Sequence, residues 1–270
     1  MKEAQVPTAG GDQRGHLVFE SVAKRFMARG EVVTALESTS LSIQQGEFIT
    51  LVGPSGCGKS TMLNIVSGLI TATEGTVHLG DMPITGIDKR VGYVTQQDNL
   101  MPWKTLRDNV ALPLELAGVP LAERREKADA WLDKVGLGKF GNAYPHELSG
   151  GMRQRGNIIR TLIYEPPVIL MDEPFGPLDA QTRIVLQDLL LSIWEKQRST
   201  VLFVTHDLHE AIALADRVML MSARPGRIVR ADAVDIPRPR DVFQIHDDPR
   251  FRSLYSDLWN ELREQVRDGH

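Results

Sequence analysis

The sequence predicts an α/β fold interrupted by a block of helices. Three observations carry that reading. β-rich runs alternate with helix-like ones; the strand signal stops between Leu106 and Leu162 and then resumes; and a complete G-x-x-x-x-G-K-[ST] loop, "GPSGCGKS", sits between a strand pattern and a helix pattern.

Taken in order, residues 1–15 are polar and glycine-bearing without periodicity, so they are expected to form a disordered tail outside the fold. "HLVFESV" opens the β-rich part. "EFITLVG" comes next as a strand, then a helix from Lys59 to about Ser67, then strands "GTVHL" and "VGYVT". "TLRDNVALPLELAG", "LAERREKADAWLDKV" and "GGMRQRGNIIRTLI" read as consecutive helices. Strands return as "PVILMDEP" and "STVLFVTHD", separated by a helix from Ala180 to about Glu195, and "RVMLMSARPGRIV" reads as a hairpin. The prolines of "DIPRPRD" suit an extended connector. Asp248-Pro249 can then start a helix with Phe251, Leu254, Tyr255, Leu258 and Leu262 on one face. The expected organisation is a main domain over 16–235, a helical subdomain inserted at about 98–165, and a C-terminal extension over 236–270.

Composition excludes several classes. A formal net charge of -4 gives no broad basic field for a nucleic-acid backbone. The single cysteine, Cys57, forbids an internal disulfide, and no basic start with an apolar h-region marks secretion. No apolar run approaches the ~20 residues that span a bilayer, so a membrane role must be peripheral and the expected location is cytoplasmic.

The loop Gly53, Pro54, Ser55, Gly56, Cys57, Gly58, Lys59 and Ser60 is expected to cradle a triphosphate. Glycines let successive backbone N–H groups approach the phosphates, and the helix behind them contributes about +0.5 of a charge. Lys59 would reach the β- and γ-phosphates, Ser60 would ligate Mg²⁺ through its hydroxyl, and Thr61 would add a phosphate contact. "VILMDEP" ends a buried strand in two carboxylates, which are costly to bury unless paired or metal-bound. Asp172 would hold Mg²⁺, directly or through water, and Glu173 would be the general base for the attacking water. His206 ends "VLFVTH" and projects from the same sheet edge if the two strands are parallel neighbours, as a γ-phosphate sensor or an ordinary strand-end residue. Gln96, after "VGYVT", is placed to touch Mg²⁺ or the attacking water.

A second glycine-bearing stretch, "LSGGMRQR", reads on its own as an ordinary helix N-cap with a flexible entry or as a second phosphate cradle. In order, "GPSGCGKST", Gln96, "LSGGMRQR", "VILMDEP", "PLD" ending at Asp179, and "VTH" resemble the Walker A, Q-loop, signature, Walker B, D-loop and H-switch of ABC transporter ATPase subunits, over about Val18 to Val229. "LMPWKTLRDNVALPLELAG", "EPFGPLDAQTR" and "SARPGRIV" further resemble the importer branch serving nitrate, sulfonate, taurine, bicarbonate or pyrimidine-type precursors. The resemblance implies a P-loop NTPase core with a mixed sheet, an antiparallel β subdomain and an inserted helical subdomain. It implies ATP and Mg²⁺, and a homodimer in which Ser149, Gly150 and Gly151 of one copy contact the γ-phosphate held by the other. It also implies a permease on the cytoplasmic face of the membrane and, indirectly, a periplasmic or extracellular solute-binding protein. Phe26 matches the position of the adenine-stacking aromatic, or is a packed core Phe. Leu100, Met101 and Trp103 come after the Q-loop, where the family docks its permease, or pack inside the helical insertion. The alternative is a soluble ABC ATPase acting on nucleic acid or ribosomes; one compact motif set without a long coiled coil speaks against it.

Two departures and one candidate reactive side chain are visible. After "MRQR" the family commonly continues "VAIARAL", whereas this chain reads "GNIIRTL", and Gly156 within a helix implies a looser signature helix. Pro177 replaces the usual small residue before Leu178, which implies a stiffer D-loop. Cys57 lies in the phosphate loop, where N–H dipoles and Lys59 are expected to favour a reactive thiolate, or it is a small filler.

Overall fold

Strand burial organises the molecule. The computed structural model describes residues 16–28 and 30–268; the tail expected over 1–15 lies outside the described residues. The mixed sheet contains β3 (Phe48–Val52), β6 (Val91–Val94), β7 (Val168–Asp172), β8 (Thr200–Thr205), β9 (Arg217–Met221) and β10 (Ile228–Ala233), in the order β10-β9-β3-β8-β7-β6. All neighbours are parallel except β10, which turns back on β9 as the expected hairpin.

β3, β7 and β8 are buried along their whole length, the pattern of a sheet covered on both faces. The period of two divides the core. Phe48, Val52, Ile169, Met171, Val201 and Phe203 face one layer with Trp194 and Phe175, while Ile49, Leu51, Val168, Leu170, Leu202 and Val204 face the other with Leu17, Phe19 and Met62. That second layer is roofed by an antiparallel sheet of β1 (Leu17–Ala28), β2 (Glu31–Ile43), β4 (Glu74–Leu79) and β5 (Met82–Pro83), in the order β2-β1-β4-β5. The sequence pattern leaves β2 and β5 unassigned: β5 is only two residues long, and β2 alternates cleanly only at its end, over 39–43.

Four of the helices begin where short polar side chains accept N–H groups. α1 is Lys59–Val66. Thr105 caps α2 (Leu106–Val110), after which come α3 (Leu112–Leu116) and α4 (Leu121–Lys134). Ser149 caps α5 (Gly150–Leu162), Asp179 caps α6 (Ala180–Gln197) and Asp207 caps α7 (Leu208–Leu214). α8 (Pro249–Asp268) lays Phe251 and Leu258, both buried, on the core against α7.

α5 is not loosened by its glycine. A Cβ on Gly156 would stand 2.6 Å from Leu106 Cδ1, so the glycine lets α2 and α5 approach closely. The connector after β10 is pinned by Arg240, which is buried and donates to the carbonyls of Ile212, Ala213, Ala215, Val234 and Ile236. Burial first, and the Arg238 charge second, lower its guanidinium to about 10. Because Arg240 gathers the C-terminal carbonyls of α7, the helix that comes after His206, Arg240→Met should destabilise the protein by about 3 kcal/mol or more, the cost of several carbonyls left without a donor. The shift in urea midpoint measures it.

Candidate functional site

Four strands, β3, β6, β7 and β8, end on one edge of the mixed sheet, and the residues just beyond their C-terminal ends form the site. After β3 the chain enters the phosphate loop. Gly56 and Gly58 take φ of +77° and +100°, which side-chain-bearing residues rarely adopt. A Cβ on Gly58 would stand 2.7 Å from the Ala35 carbonyl, and one on Gly53 would stand 3.0 Å from both Cys57 Sγ and Met221. The loop is thereby held from outside by β2 and by the β9–β10 hairpin, where the Gly226 N–H donates to the Ala35 carbonyl at 3.1 Å and Gly226 also abuts the Cys57 carbonyl.

Gly58 caps α1 with no side-chain acceptor, which leaves the N–H groups of the first turn to an anion. Lys59 is buried and donates to the carbonyls of Gly53 at 2.7 Å and Pro54 at 2.9 Å. Its ammonium is thus held inside the curve of the loop by neutral acceptors. Ser55 and Gly56 are exposed at the crown of the loop, and Thr61 is half-buried behind Ser60. These features fit a polyphosphate.

Asp172, the last residue of β7, is buried beside the Ser60 hydroxyl, and lies 3.5 Å from Tyr93 Oη, which also donates to Asn64 Oδ1 at 3.2 Å. Burial raises the Asp172 carboxyl, and the neighbouring Glu173 adds to the rise. Burial likewise raises the Tyr93 phenol. Hydroxyl and carboxylate are the oxygen donors Mg²⁺ takes when substrate phosphates complete its shell. No cluster of three or more His, Cys, Asp or Glu among the described residues forms a metal cage without them.

Glu173 has φ +45°, a left-handed backbone that swings its side chain out of line with the strand. The turn is secured by its N–H donating to Val204 O at 3.0 Å and its carbonyl accepting from Gly176 at 3.1 Å. β7 and β8 are parallel neighbours, pairing Asp172 with Val204, and His206 Nδ1 lies 3.0 Å from Glu173 Oε2. Beneath this pair, Thr205 Oγ1 donates to the buried Glu210 at 2.6 Å and Gln187 Nε2 to its other oxygen at 3.1 Å. Burial raises the Glu210 carboxyl. Arg183 donates to the Leu178 carbonyl at 3.2 Å and lies 3.6 Å from Asp207, joining the segment after β7 to the segment after β8.

The remaining candidates lie farther out. Gln96, after β6, is exposed in an open groove lined also by Gln97, Gly150, Arg153, Gln154 and Pro177. Ser149 and Gly150 are exposed; the Ser149 hydroxyl accepts the Met152 N–H at 3.3 Å, and a Cβ on Gly151 would touch Leu178. No hydrogen bond among the described residues joins 149–151 to the phosphate loop. Asp179 accepts the Thr182 N–H at 3.0 Å, and that bond holds its carboxyl below the usual range. Phe26 is exposed beside Lys24, whose ammonium sits 4.9 Å above its ring, and pairs with Val33 two residues from the loop-bracing Ala35.

Two open alternatives are resolved, in each case toward packing for the residue concerned. Cys57 is buried, and burial raises its thiol despite Lys59 Nζ at 3.8 Å, so it fills space under the loop and is no exposed thiolate. Leu100 is 7% exposed and belongs to the core, whereas Trp103 is 70% exposed; Met101 is half-buried between them. Sequence reasoning misses Tyr93, Asn64, Glu210, Arg183 and Gly226. Only Glu210, four residues after His206 in "THDLHE", carries a local sign of its place.

Likenesses to known proteins extend over most of the chain. The family model described as "ABC transporter" matches residues 36–176. An uncharacterized ABC transporter ATP-binding protein of Methanocaldococcus jannaschii is 46% identical over 93% of this chain and 92% of its own length. The nitrate import ATP-binding protein of Synechococcus elongatus is 44% identical over 94% of each chain, and an aliphatic sulfonates import ATP-binding protein of Bacillus cereus is 42% identical over 92% of this chain and 93% of its own. Among solved structures, an ATP-binding cassette in a dimeric, post-hydrolysis state bound to ADP and Pi superposes with a TM-score of 0.75 at 35% identity, covering 82% of this chain and 100% of that one. With these likenesses, and with a phosphate loop, two strand-end carboxylates and a histidine gathered on one sheet edge, the chain belongs to the ABC transporter family of ATP-binding proteins.

Proposed function

We propose that this chain is the ATP-binding and ATP-hydrolysing energy-coupling subunit of an ABC importer, driving uptake of a small anion or organic solute through a separate permease at the cytoplasmic face of the membrane. The observation that carries the reading is the 3.0 Å approach of His206 to Glu173, one residue beyond the buried Asp172 carboxylate that lies beside Ser60. Relatives named for nitrate and aliphatic sulfonate import favour it over an ATPase acting on nucleic acid or ribosomes. No helix among the described residues is long and apolar enough to cross a membrane, which suits a subunit that works through a membrane partner.

In this mechanism the loop amides of 53–61 and Lys59 bind the β- and γ-phosphates. Ser60 and Asp172, with Gln96, would hold Mg²⁺, which when bound neutralises charge developing on the phosphate oxygens. Glu173 accepts a proton from the attacking water as its oxygen bonds to the γ-phosphorus and ADP departs. His206 orients that carboxylate and contacts the γ-phosphate. Ser149, Gly150 and Gly151, exposed at the start of α5, close on the nucleotide of a second copy, and Asp179 lies beside them across the interface. Phe26 offers adenine the ring face that Lys24 leaves open. Trp103 is the main contact for the permease, extended by Leu116, which is 81% exposed and adjoins Glu115, the 3.0 Å partner of Lys104.

Glu173→Gln should bind MgATP but hydrolyse it at least about 100-fold more slowly, and should accumulate as a nucleotide-bound dimer in light scattering; wild-type turnover by that variant overturns the reading. Trp103→Ala should leave MgATP hydrolysis by the isolated subunit unchanged while weakening its affinity for the permease by about 2 kcal/mol, measured by reconstituted transport. Asp172→Asn should abolish hydrolysis yet raise the melting temperature of the nucleotide-free protein at neutral pH. The sign comes from the raised carboxyl: the folded state disfavours the charged form, so the gain is present above its folded-state value and disappears as pH falls toward the ordinary Asp range, where both states are protonated.

A further inference from the structure

We propose that Asn157 is a positioning residue for Gln96, locking the Q-loop to the signature helix α5 so that the two move as one piece; this rests on the functional reading above. Asn157 is fully buried in the middle of α5. Its Nδ2 donates to the Thr95 carbonyl at 3.1 Å and the Gln97 carbonyl at 3.5 Å, the two residues that flank Gln96. Its Oδ1 accepts from Arg160 Nη2 at 2.8 Å, and the same guanidinium donates to the Asp98 carbonyl at 3.0 Å and the Asn99 carbonyl at 2.8 Å. One turn earlier, Arg153 holds the Asp98 carboxylate at 2.9 Å. Three side chains spaced along one face of α5 thus grip Thr95, Gln97, Asp98 and Asn99, while the Gln96 side chain faces the groove it shares with Gly150.

The grip depends on a residue that departs from the common pattern. In "VAIARAL" the corresponding residue is alanine, which has no donor for either carbonyl. Here Asn157 comes after Gly156, whose missing side chain admits Leu106, so the pair fastens the helix on both sides: against α2 and against the loop. A buried amide whose N–H groups meet the Thr95 and Gln97 carbonyls fixes the peptide plane before Gln96 and the one after Gln97, and so restrains the backbone that aims the Gln96 side chain. Since α5 begins with Gly150 and Gly151, capped by Ser149, the tie places the cis glutamine and the signature residues offered to the second copy on one lever.

Asn157→Ala tests this in the full chain. It should lower kcat for MgATP by about tenfold, the scale of one buried hydrogen bond, with nucleotide affinity within about twofold of wild type. In the nucleotide-free protein, ¹⁵N order parameters of residues 95–99 should fall from about 0.85 to below about 0.6 while those of the remainder of α5 hold. Asn157→Ser, too short to reach either carbonyl, is the second variant and should match alanine. A kcat within about twofold of wild type, or unmoved order parameters at 95–99, overturns the proposal. Absence of MgATP hydrolysis by wild-type protein overturns the functional reading instead, and the nucleotide-free relaxation measurement still decides whether Asn157 holds the loop.

Discussion

A loop that grips phosphate must aim its N–H groups outward with no side chain in the way, and it must hold that shape without a ligand inside it. Glycine meets the first demand and defeats the second, because the freedom that permits φ of +77° and +100° permits much else. This protein meets the second from outside. Ala35 on β2, Met221 at the end of β9 and Gly226 in the turn beyond it press on Gly53, Cys57 and Gly58, while Cys57 fills the space below. The antiparallel sheet and the hairpin are therefore parts of the nucleotide site, although none of these bracing residues carries a reacting group.

The second constraint lies at the end of β7. Adjacent residues of a strand face opposite sides, so Asp172 and Glu173 cannot both address one ligand from regular β backbone. The conflict is resolved by bending the chain at Glu173 into a conformation that costs of order 1–3 kcal/mol for a residue with a side chain, and by fixing it there with bonds to Val204 and Gly176. Asp172 can then stay with Ser60 while Glu173 meets His206. Strand order completes the arrangement: β3, β8, β7 and β6 lie side by side, so four pieces far apart in sequence deliver the phosphate loop, His206, the carboxylates and Gln96 to one carboxyl edge.

Sequence reveals whatever chemistry confines to a short span. The loop of 53–60, the Asp172–Glu173 pair and the strands "FITLV" and "VILMD" each declare themselves because glycine spacing, adjacent carboxylates or unbroken apolar runs have few other uses. Cys57 and Leu100 stay ambiguous in sequence for a common reason: each lies in a functional loop yet packs into the core, and only the tertiary packing says which environment wins. Gly156 looks like weakness because propensity counts the helix alone; Leu106, far away along the chain, supplies the compensation. Tyr93, Asn64 and Gly226 carry no local sign, since each acts through a contact made by folding.

These contacts make α5 the element that joins the site to the surface. Its first turn carries the exposed signature residues; Gln154 donates to the Pro174 carbonyl at 2.9 Å, one residue beyond Glu173; and Arg153 and Arg160 hold the loop that bears Gln96. At the other side, Met101 N–H donates to Asn109 Oδ1 at 2.7 Å, and Asn109 returns its amide to the carbonyls of Met101, Lys104 and Thr105, so the segment displaying Trp103 is folded onto α2, which packs on α5 through Leu106 and Gly156. Each joint is a buried polar or close-packed contact, stiff over the distances involved. Trp103 and Gln96 are thus joined through α2 and α5, with Gly156 at the point where the two helices bear on each other.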